Sequence, residues 1–109
     1  MKKLLISCVF ISLCSFGDDY ISPEQAYMFN GQNKTVCGTV AQTVSRKGYV
    51  YVNYGNMYPN QSFHLFITKP NNYNNLDQLT NKKVCGYGRI EMYRNKPEIT
   101  NPISINIME

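Results

Sequence analysis

Two short segments centred on Val-Cys-Gly constrain the fold of this chain more than any other feature of its sequence. The first is KTVCGTV at residues 34–40, and the second is KKVCGYGRI at residues 82–90. In both segments β-branched residues alternate around the cysteine and a glycine follows it, which is typical of strands in a strongly coiled sheet. The sequence therefore predicts two related strands, and their cysteines could be joined to each other, bound to a metal ion or left free.

The N-terminus has the pattern of an export signal. Lys2 and Lys3 precede an apolar run at residues 4–13, and Ser15 and Gly17 place small residues where a signal peptidase cleaves. The apolar run is too short to span a bilayer. We predict a signal peptide at residues 1–17 and a single domain at residues 18–109. The mature protein would be periplasmic or secreted, and it would not be an integral membrane protein.

Removal of this signal changes the chemistry open to the remaining chain of about 92 residues. Nine basic residues then face seven acidic ones, a net charge of +2 instead of +4, which is too weak a field for a protein dedicated to packaging DNA. Cys8 leaves with the signal. Cys14 leaves too, unless a lipid anchors the chain there, which is a minor alternative because the bulky Leu13 precedes it.

The two remaining cysteines are most economically explained by a disulfide. An exported chain meets an oxidising environment, so we expect Cys37 to pair with Cys85. Two buried free thiols are the alternative. A zinc site needs about four ligands, whereas the mature chain adds only His64 to the two cysteines, so no metal and no other cofactor is expected.

The rest of the mature chain is typical of an all-β domain. Ser22 can cap a short helix that has proline at its first position and Gln25 three residues after the cap, and Gly31 can end it. Asn101-Pro102 interrupts the last strand and predicts a kink there. Strands are expected at 34–44, 49–54, 62–68, 84–92 and 98–107, with a helical turn at 76–79.

This order of elements predicts an OB-fold: a five-stranded Greek-key barrel with a short N-terminal helix and a helical turn between strands three and four. In such a barrel the first strand lies beside the fourth, which would bring the two Val-Cys-Gly segments together. The sequence also resembles a family of small bacterial exported OB-fold proteins, related to nucleic-acid-binding OB-folds of the anticodon-binding type. The likeness lies in SPEQA at 22–26, KTVCGTV at 34–40, VNYG at 52–55, YPNQSF at 58–63, KVC at 83–85, GRIEMY at 88–93 and KPEI at 96–99.

The second strand and two basic turns suggest where a ligand would bind. If Val50, Val52 and Tyr54 point into the barrel, then Tyr49 and Tyr51 point outwards together with Asn53; the opposite phase would bury both tyrosines. On an OB-fold this outer face, flanked by the loops after the first and fourth strands, commonly binds ligands. The predicted nucleic-acid-binding residues are Arg46, Lys47, Tyr49, Tyr51, Arg94 and Lys96.

The sequence carries no pattern that predicts catalysis. It contains no phosphate loop or nucleophile elbow. His64 alternates with Phe63 and Leu65, and we expect it to have a structural role at the surface or partly packed. We therefore predict an exported, non-catalytic OB-fold protein that binds single-stranded nucleic acid. Recognition of a protein or an oligosaccharide by the same face is the alternative, and the oligomeric state is left open.

Overall fold

The computed structural model describes residues 20–108, which form a curved β-sheet with short 3₁₀ helices at its ends. The signal peptide, the boundary at residue 18 and a lipid anchor at Cys14 lie outside the described residues and stay predictions. Within residues 20–108, no helix is long and apolar enough to cross a membrane. The strands are β1 (Tyr20–Ile21), β2 (Asn33–Arg46), β3 (Tyr49–Tyr54), β4 (Phe63–Ile67), β5 (Lys83–Tyr93), β6 (Lys96–Thr100) and β7 (Ser104–Met108).

The sheet curls into a partly closed ring because β2 changes its partner halfway along its length. Residues 33–39 pair with β5, whereas Val40 and residues 42–46 pair with β3, and the register shifts between Val40 and Gln42. A bulge of this kind bends a strand and increases its twist. The ring continues through the antiparallel β3–β4 pair, the parallel β4–β6 pair and the antiparallel β5–β6 pair.

The expected number of five strands is wrong, because the described residues form seven. The short β1 adds to β2 in parallel. The predicted fifth strand is two strands, β6 and β7, which pair with different parts of β5. Asn101 separates them in a left-handed conformation with φ 49°, and its side chain bonds the backbone N–H and the hydroxyl of Thr68. The break thus falls where Asn101-Pro102 predicted a kink.

The N-terminal helix covers one end of the barrel. It is a 3₁₀ helix at Pro23–Phe29 with the predicted capping box: the Gln25 amide N–H donates to Ser22 Oγ, and the Ser22 N–H donates to Gln25 Oε1. Gly31 follows with φ 87°, a conformation that suits glycine. Ala26 is buried against the barrel. Two shorter 3₁₀ turns, Pro70–Asn72 and Leu76–Gln78, lie between β4 and β5.

The core lies inside the ring, and the two Val-Cys-Gly segments close it. Cys37 and Cys85 face each other directly across β2 and β5, with Cα atoms 4.0 Å apart, and form a disulfide. The buried Tyr54 donates its hydroxyl hydrogen to the carbonyl of Val84, 3.2 Å away. The fully buried apolar residues include Val36, Val40, Val52, Phe63, Leu65, Ile67, Val84, Ile90 and Ile99.

Candidate nucleic-acid interface

A cleft of about 420 Å³ opens on the outer face of the barrel, between β3, the turn from β5 to β6 and the loop at residues 55–62. We call it the cleft below. Of the two phases left open for β3, the structure has the one in which Val50, Val52 and Tyr54 are buried in the core. Five of the six predicted binding residues line the cleft, namely Arg46, Tyr49, Tyr51, Arg94 and Lys96. Lys47 lies exposed in the turn between β2 and β3 and does not line it.

The two predicted tyrosines belong to an aromatic cluster that is partly structural. Tyr51 stacks on Phe66, its direct partner on β4, with ring centroids 4.8 Å apart. Tyr49 contacts both rings edge-on, at 5.7 Å from Tyr51 and 5.6 Å from Phe66. Such cross-strand pairs stabilise a sheet. Ring surface that packs within the cluster is not open to a base, so Tyr49 and Tyr51 make a half-buried wall.

More accessible aromatic rings come from two residues that sequence reasoning did not select. Tyr58 is 70% exposed and Tyr93 is 49% exposed, and both line the cleft. The guanidinium carbon of Arg94 lies 5.3 Å from the centroid of the Tyr93 ring. Tyr58 follows β3 in a loop and Tyr93 ends β5, so only the folding of distant segments brings the two rings to one cleft.

The three cations of the cleft differ in their freedom. Arg46 is exposed at the end of β2, where its Nη1 lies 3.5 Å from the carbonyl of Ser45, a long contact. Lys96 Nζ donates to the carbonyl of Gln61 at 2.9 Å, so it ties the 55–62 loop to β6. Arg94 lies in a two-residue turn with Asn95, and both have positive φ, 51° and 67°. Arg46 and Arg94 are therefore the cations best placed to meet an anionic ligand.

His64 lies beneath the cleft, and the expectation of a surface or partly packed position is wrong. Its exposed fraction is 4%, because β6 pairs beside β4 and sets Glu98 directly opposite it. The imidazole Nε2 is 2.8 Å from Glu98 Oε1, and Nδ1 is 3.4 Å from Gln61 Nε2. Burial lowers the pKa of His64, an effect that the hydrogen bond to Glu98 opposes. A neutral imidazole at neutral pH is the result.

Three amide side chains form the polar floor of the cleft. Gln42 Oε1 accepts two hydrogen bonds at 3.0 Å, one from Asn53 Nδ2 and one from the backbone N–H of Tyr58. Asn53 and Gln61 are both buried, so the outward direction predicted for Asn53 does not expose it. Neither Asn53 Oδ1 nor Gln61 Oε1 has a hydrogen-bond partner among residues 20–108. Alternation along β3 places Asn53 on the cleft face, a sequence signal that could have drawn attention to it, whereas Gln42 reaches that face only because the register shift after Val40 reverses the alternation of β2.

The polar groups of the cleft are not arranged as a metal site. Within the part of the chain that the structure describes, no group of three or more His, Cys, Asp and Glu side chains could hold a metal ion. The groups that do meet in the cleft are aromatic rings, guanidinium groups and amides. This combination suits binding of a planar or anionic ligand by stacking and hydrogen bonds.

Comparison with solved structures identifies the fold. The chain is similar to the OBody AM1L10 bound to hen egg-white lysozyme, with a TM-score of 0.56 and 17% identity over 75% of this chain and 83% of that one. It is also similar to a putative aspartyl-tRNA synthetase from Leishmania major Friedlin, with a TM-score of 0.61 and 7% identity over 93% of this chain but 23% of that one. The p204 HINb domain matches with a TM-score of 0.55 and 10% identity over 81% of this chain and 47% of that one.

These likenesses show an OB-fold, and at such low identity they show the fold alone. No protein-family model and no curated protein sequence matches the chain. The resemblance to an exported bacterial family accordingly stays a prediction. The disulfide is compatible with an extracellular location but does not establish one.

Proposed function

We propose that this protein is an exported, non-catalytic OB-fold module that binds single-stranded nucleic acid in the cleft. The observation that carries the proposal is the convergence of exposed tyrosines and two arginines on one cleft of the OB-fold face that commonly binds ligands. Arg46 is the last residue of β2 and Arg94 lies in the turn after β5, so two separate segments each bring one arginine to the cleft. Two separated cations suit a ligand whose charge repeats along a backbone.

Each group has a distinct role in this proposal. Tyr58 and Tyr93 stack on bases, because their rings are the most exposed in the cleft. Arg46 and Arg94 contact phosphates. Lys96 keeps the 55–62 loop in place through Gln61. The half-buried Tyr49 and Tyr51 form the wall against which the nucleic-acid strand lies. Lys47 adds positive charge near one end of the cleft without lining it.

The similar folds support a binding role on two counts. One lies in a protein named as a putative aspartyl-tRNA synthetase, which by its name acts on a nucleic acid. Others are OBodies bound to lysozyme, in which the same fold binds a protein. The net charge of the cleft favours the nucleic acid, since Arg46, Arg94 and Lys96 outnumber Glu98, the carboxylate beneath them.

Fluorescence anisotropy with a labelled, mixed-sequence DNA strand of about 12 nucleotides tests the proposal, at about 50 and about 200 mM salt. We expect binding that weakens with salt and that falls about tenfold in Tyr93→Ala and in Tyr58→Ala, because each loses a stacking surface. Arg46→Gln and Arg94→Gln should reduce the dependence on salt. Lys82→Gln is the matched control, since it removes an exposed charge that does not line the cleft.

Absence of binding at the lower salt concentration would contradict the proposal. The alternative, recognition of a protein or an oligosaccharide by the same face, has its support in the lysozyme-bound OBodies. It predicts a ligand whose affinity barely changes with salt and still depends on Tyr58 and Tyr93. Titration with the oligonucleotide and with candidate proteins or glycans under the same two salt conditions separates the two functions.

A further inference from the structure

The cleft contains a pair of buried amide oxygens that nothing in the described chain satisfies. Asn53 is 2% exposed and Gln61 is 3% exposed, and both line the cleft. Asn53 Oδ1 and Gln61 Oε1 have no hydrogen-bond partner among residues 20–108. A buried acceptor without a donor is destabilising, and folded proteins retain few of them. Both oxygens have almost no accessible surface, so a ligand that supplies their donors has to displace the side chains that cover them.

The orientation of Asn53 is fixed by its neighbours. The backbone N–H of Tyr58 can only donate, so Gln42 must turn its Oε1 towards it, at 3.0 Å. The same oxygen then requires a donor from Asn53, which is Nδ2 at 3.0 Å. Reversal of the Gln42 amide would place its NH₂ group against the Tyr58 N–H, and reversal of the Asn53 amide would place its oxygen against that of Gln42. Asn53 therefore has to present its oxygen as the unused group.

The orientation of Gln61 is fixed independently, through His64 and Glu98. The Glu98 carboxylate accepts from His64 Nε2 at 2.8 Å, so the hydrogen of the neutral imidazole lies on Nε2. Nδ1 is then an acceptor, and Gln61 directs its Nε2 towards it at 3.4 Å. Gln61 Oε1 is then the acceptor without a donor among the described residues. Two separate hydrogen-bond chains thus end in the same kind of group at the floor of one cleft.

We propose that these two oxygens form a base-recognition subsite that accepts hydrogen bonds from an exocyclic amino group, so that the cleft prefers cytosine to uracil. This inference rests on the proposed binding of single-stranded nucleic acid. Cytosine presents an amino donor at the position where uracil presents a carbonyl oxygen. Uracil would place its carbonyl oxygen against the two amide oxygens, with no hydrogen to share between them. Sites built to hydrogen-bond a donor strongly reject analogues that lack that donor.

The rim and the floor of the cleft then have separate tasks. Arg46 and Arg94 at the rim contact phosphates, which every sequence carries, and they give affinity without selection. Asn53 and Gln61 at the floor are shielded from bulk water, so water compensates poorly for a missing donor. Selection between bases depends on the floor, and the dependence of affinity on salt arises at the rim.

Competition between two matched strands tests the subsite. Oligodeoxycytidine and oligodeoxyuridine of equal length differ at the base edge and share one backbone, and a slightly alkaline buffer keeps cytosine and His64 neutral. We expect the cytosine strand to bind about tenfold more tightly. Asn53→Leu and Gln61→Leu should reduce this ratio towards one. Thr43→Val is the matched control, because Thr43 bonds Thr80 away from the cleft and its loss should leave the ratio unchanged.

The outcomes separate this inference from the function on which it rests. Equal, salt-sensitive binding of both strands, or a preference for uracil, would overturn the subsite and leave nucleic-acid binding standing. No binding of either strand at low salt would overturn both. If circular dichroism shows that a leucine variant does not fold, competition by free deoxycytidine and deoxyuridine monophosphates against the wild-type complex decides the question alone.

Discussion

The two sides of the barrel differ in how completely their buried polar groups are hydrogen-bonded and in how relaxed their backbone is. On the side that we call the seam, β2 pairs with β5 around the Cys37–Cys85 disulfide, and glycines allow side chains to pack closely on the backbone. On the cleft side, two buried oxygens lack partners among the residues that the structure describes, a histidine is held beneath the surface, and a turn keeps two non-glycine residues at positive φ. The contrast fits a seam that stabilises the fold and a cleft that carries the proposed binding. Functional sites are where proteins tolerate such local inconsistencies.

Removal of the disulfide should break the seam and spare the cleft. Closing a loop of 48 residues restricts the unfolded chain, so Cys37→Ala with Cys85→Ala should lower the free energy of unfolding by about 2–4 kcal/mol. Denaturant titration measures the loss. Under conditions where the variant remains folded, its oligonucleotide affinity should stay within about twofold of the wild type. A parallel loss of affinity would show that the two sides are coupled.

Crowding at Gly38 should give the next largest loss of stability. A Cβ added there would lie 2.5 Å from Pro23 Cγ, so Gly38→Ala forces the N-terminal helix away from β2. Overpacking of this kind costs about 1–3 kcal/mol. Pro23→Ala provides the matched background, because it removes the clashing atoms. Thermal unfolding should show that the double variant loses less than the sum of the single losses, and strict additivity would contradict the assigned contact.

The seam was largely predictable from the sequence, because its signals are local. The two Val-Cys-Gly strands pair as predicted, and the capping box formed by Ser22 and Gln25 is confirmed in the helix that packs on Gly38. The pairing of Cys37 with Cys85 followed from strand order together with oxidising conditions. Gly38 is a different case: its glycine was attributed to coiling of the strand, whereas the bulge falls between Val40 and Gln42, and Gly38 makes room for Pro23.

The cleft was only partly predictable, because its chemistry depends on contacts between distant segments. Alternation along β3 offered the outward direction of Tyr51 as one of two phases, but the stacking on Phe66 needs the register of β4. His64 meets Glu98 only because β6 lies parallel to β4, a pairing that no local pattern encodes. Tyr58 is in a loop without a periodic pattern. Strand order can be predicted from turns and alternation, whereas a polar network requires the register of every strand.

Acidification should lower the free energy of unfolding through His64, which lies on the cleft side. Burial lowers the pKa of His64 in the folded protein below the ordinary value of 6.5. As the pH falls below about 6.5, the unfolded chain takes up a proton that the folded chain resists, so the free energy of unfolding decreases. Denaturant titrations across this range measure the slope. The titratable groups beside the imidazole are Glu98, Lys96 and Tyr51.

His64→Gln is the control for this slope. Glutamine has an amide N–H that can replace the donor to Glu98, and it does not titrate. The variant should therefore lose the part of the pH dependence that arises just below pH 6.5. An unchanged slope in the variant would assign the effect to another group.

The smallest effect should come from the turn between β5 and β6, where stability and binding oppose each other. Arg94 has φ 51°, a conformation that disfavours most side chains but that asparagine tolerates. Arg94→Asn should therefore raise the free energy of unfolding by about 0.5 kcal/mol. The same change removes a guanidinium from the rim, so oligonucleotide affinity should fall and depend less on salt.

Arg94→Gln separates the two consequences of that change. Glutamine lacks both the charge and the tolerance of positive φ, so this variant should lose affinity without gaining stability. If Arg94→Asn proves no more stable than Arg94→Gln, the strain assigned to the turn is wrong. If Arg94→Asn is stabilised and binds as well as the wild type, the arginine is not retained for the ligand. If Arg94 is strained and retained for binding, Arg94→Asn should gain stability and lose affinity. The turn then keeps arginine at a position where asparagine would be less strained.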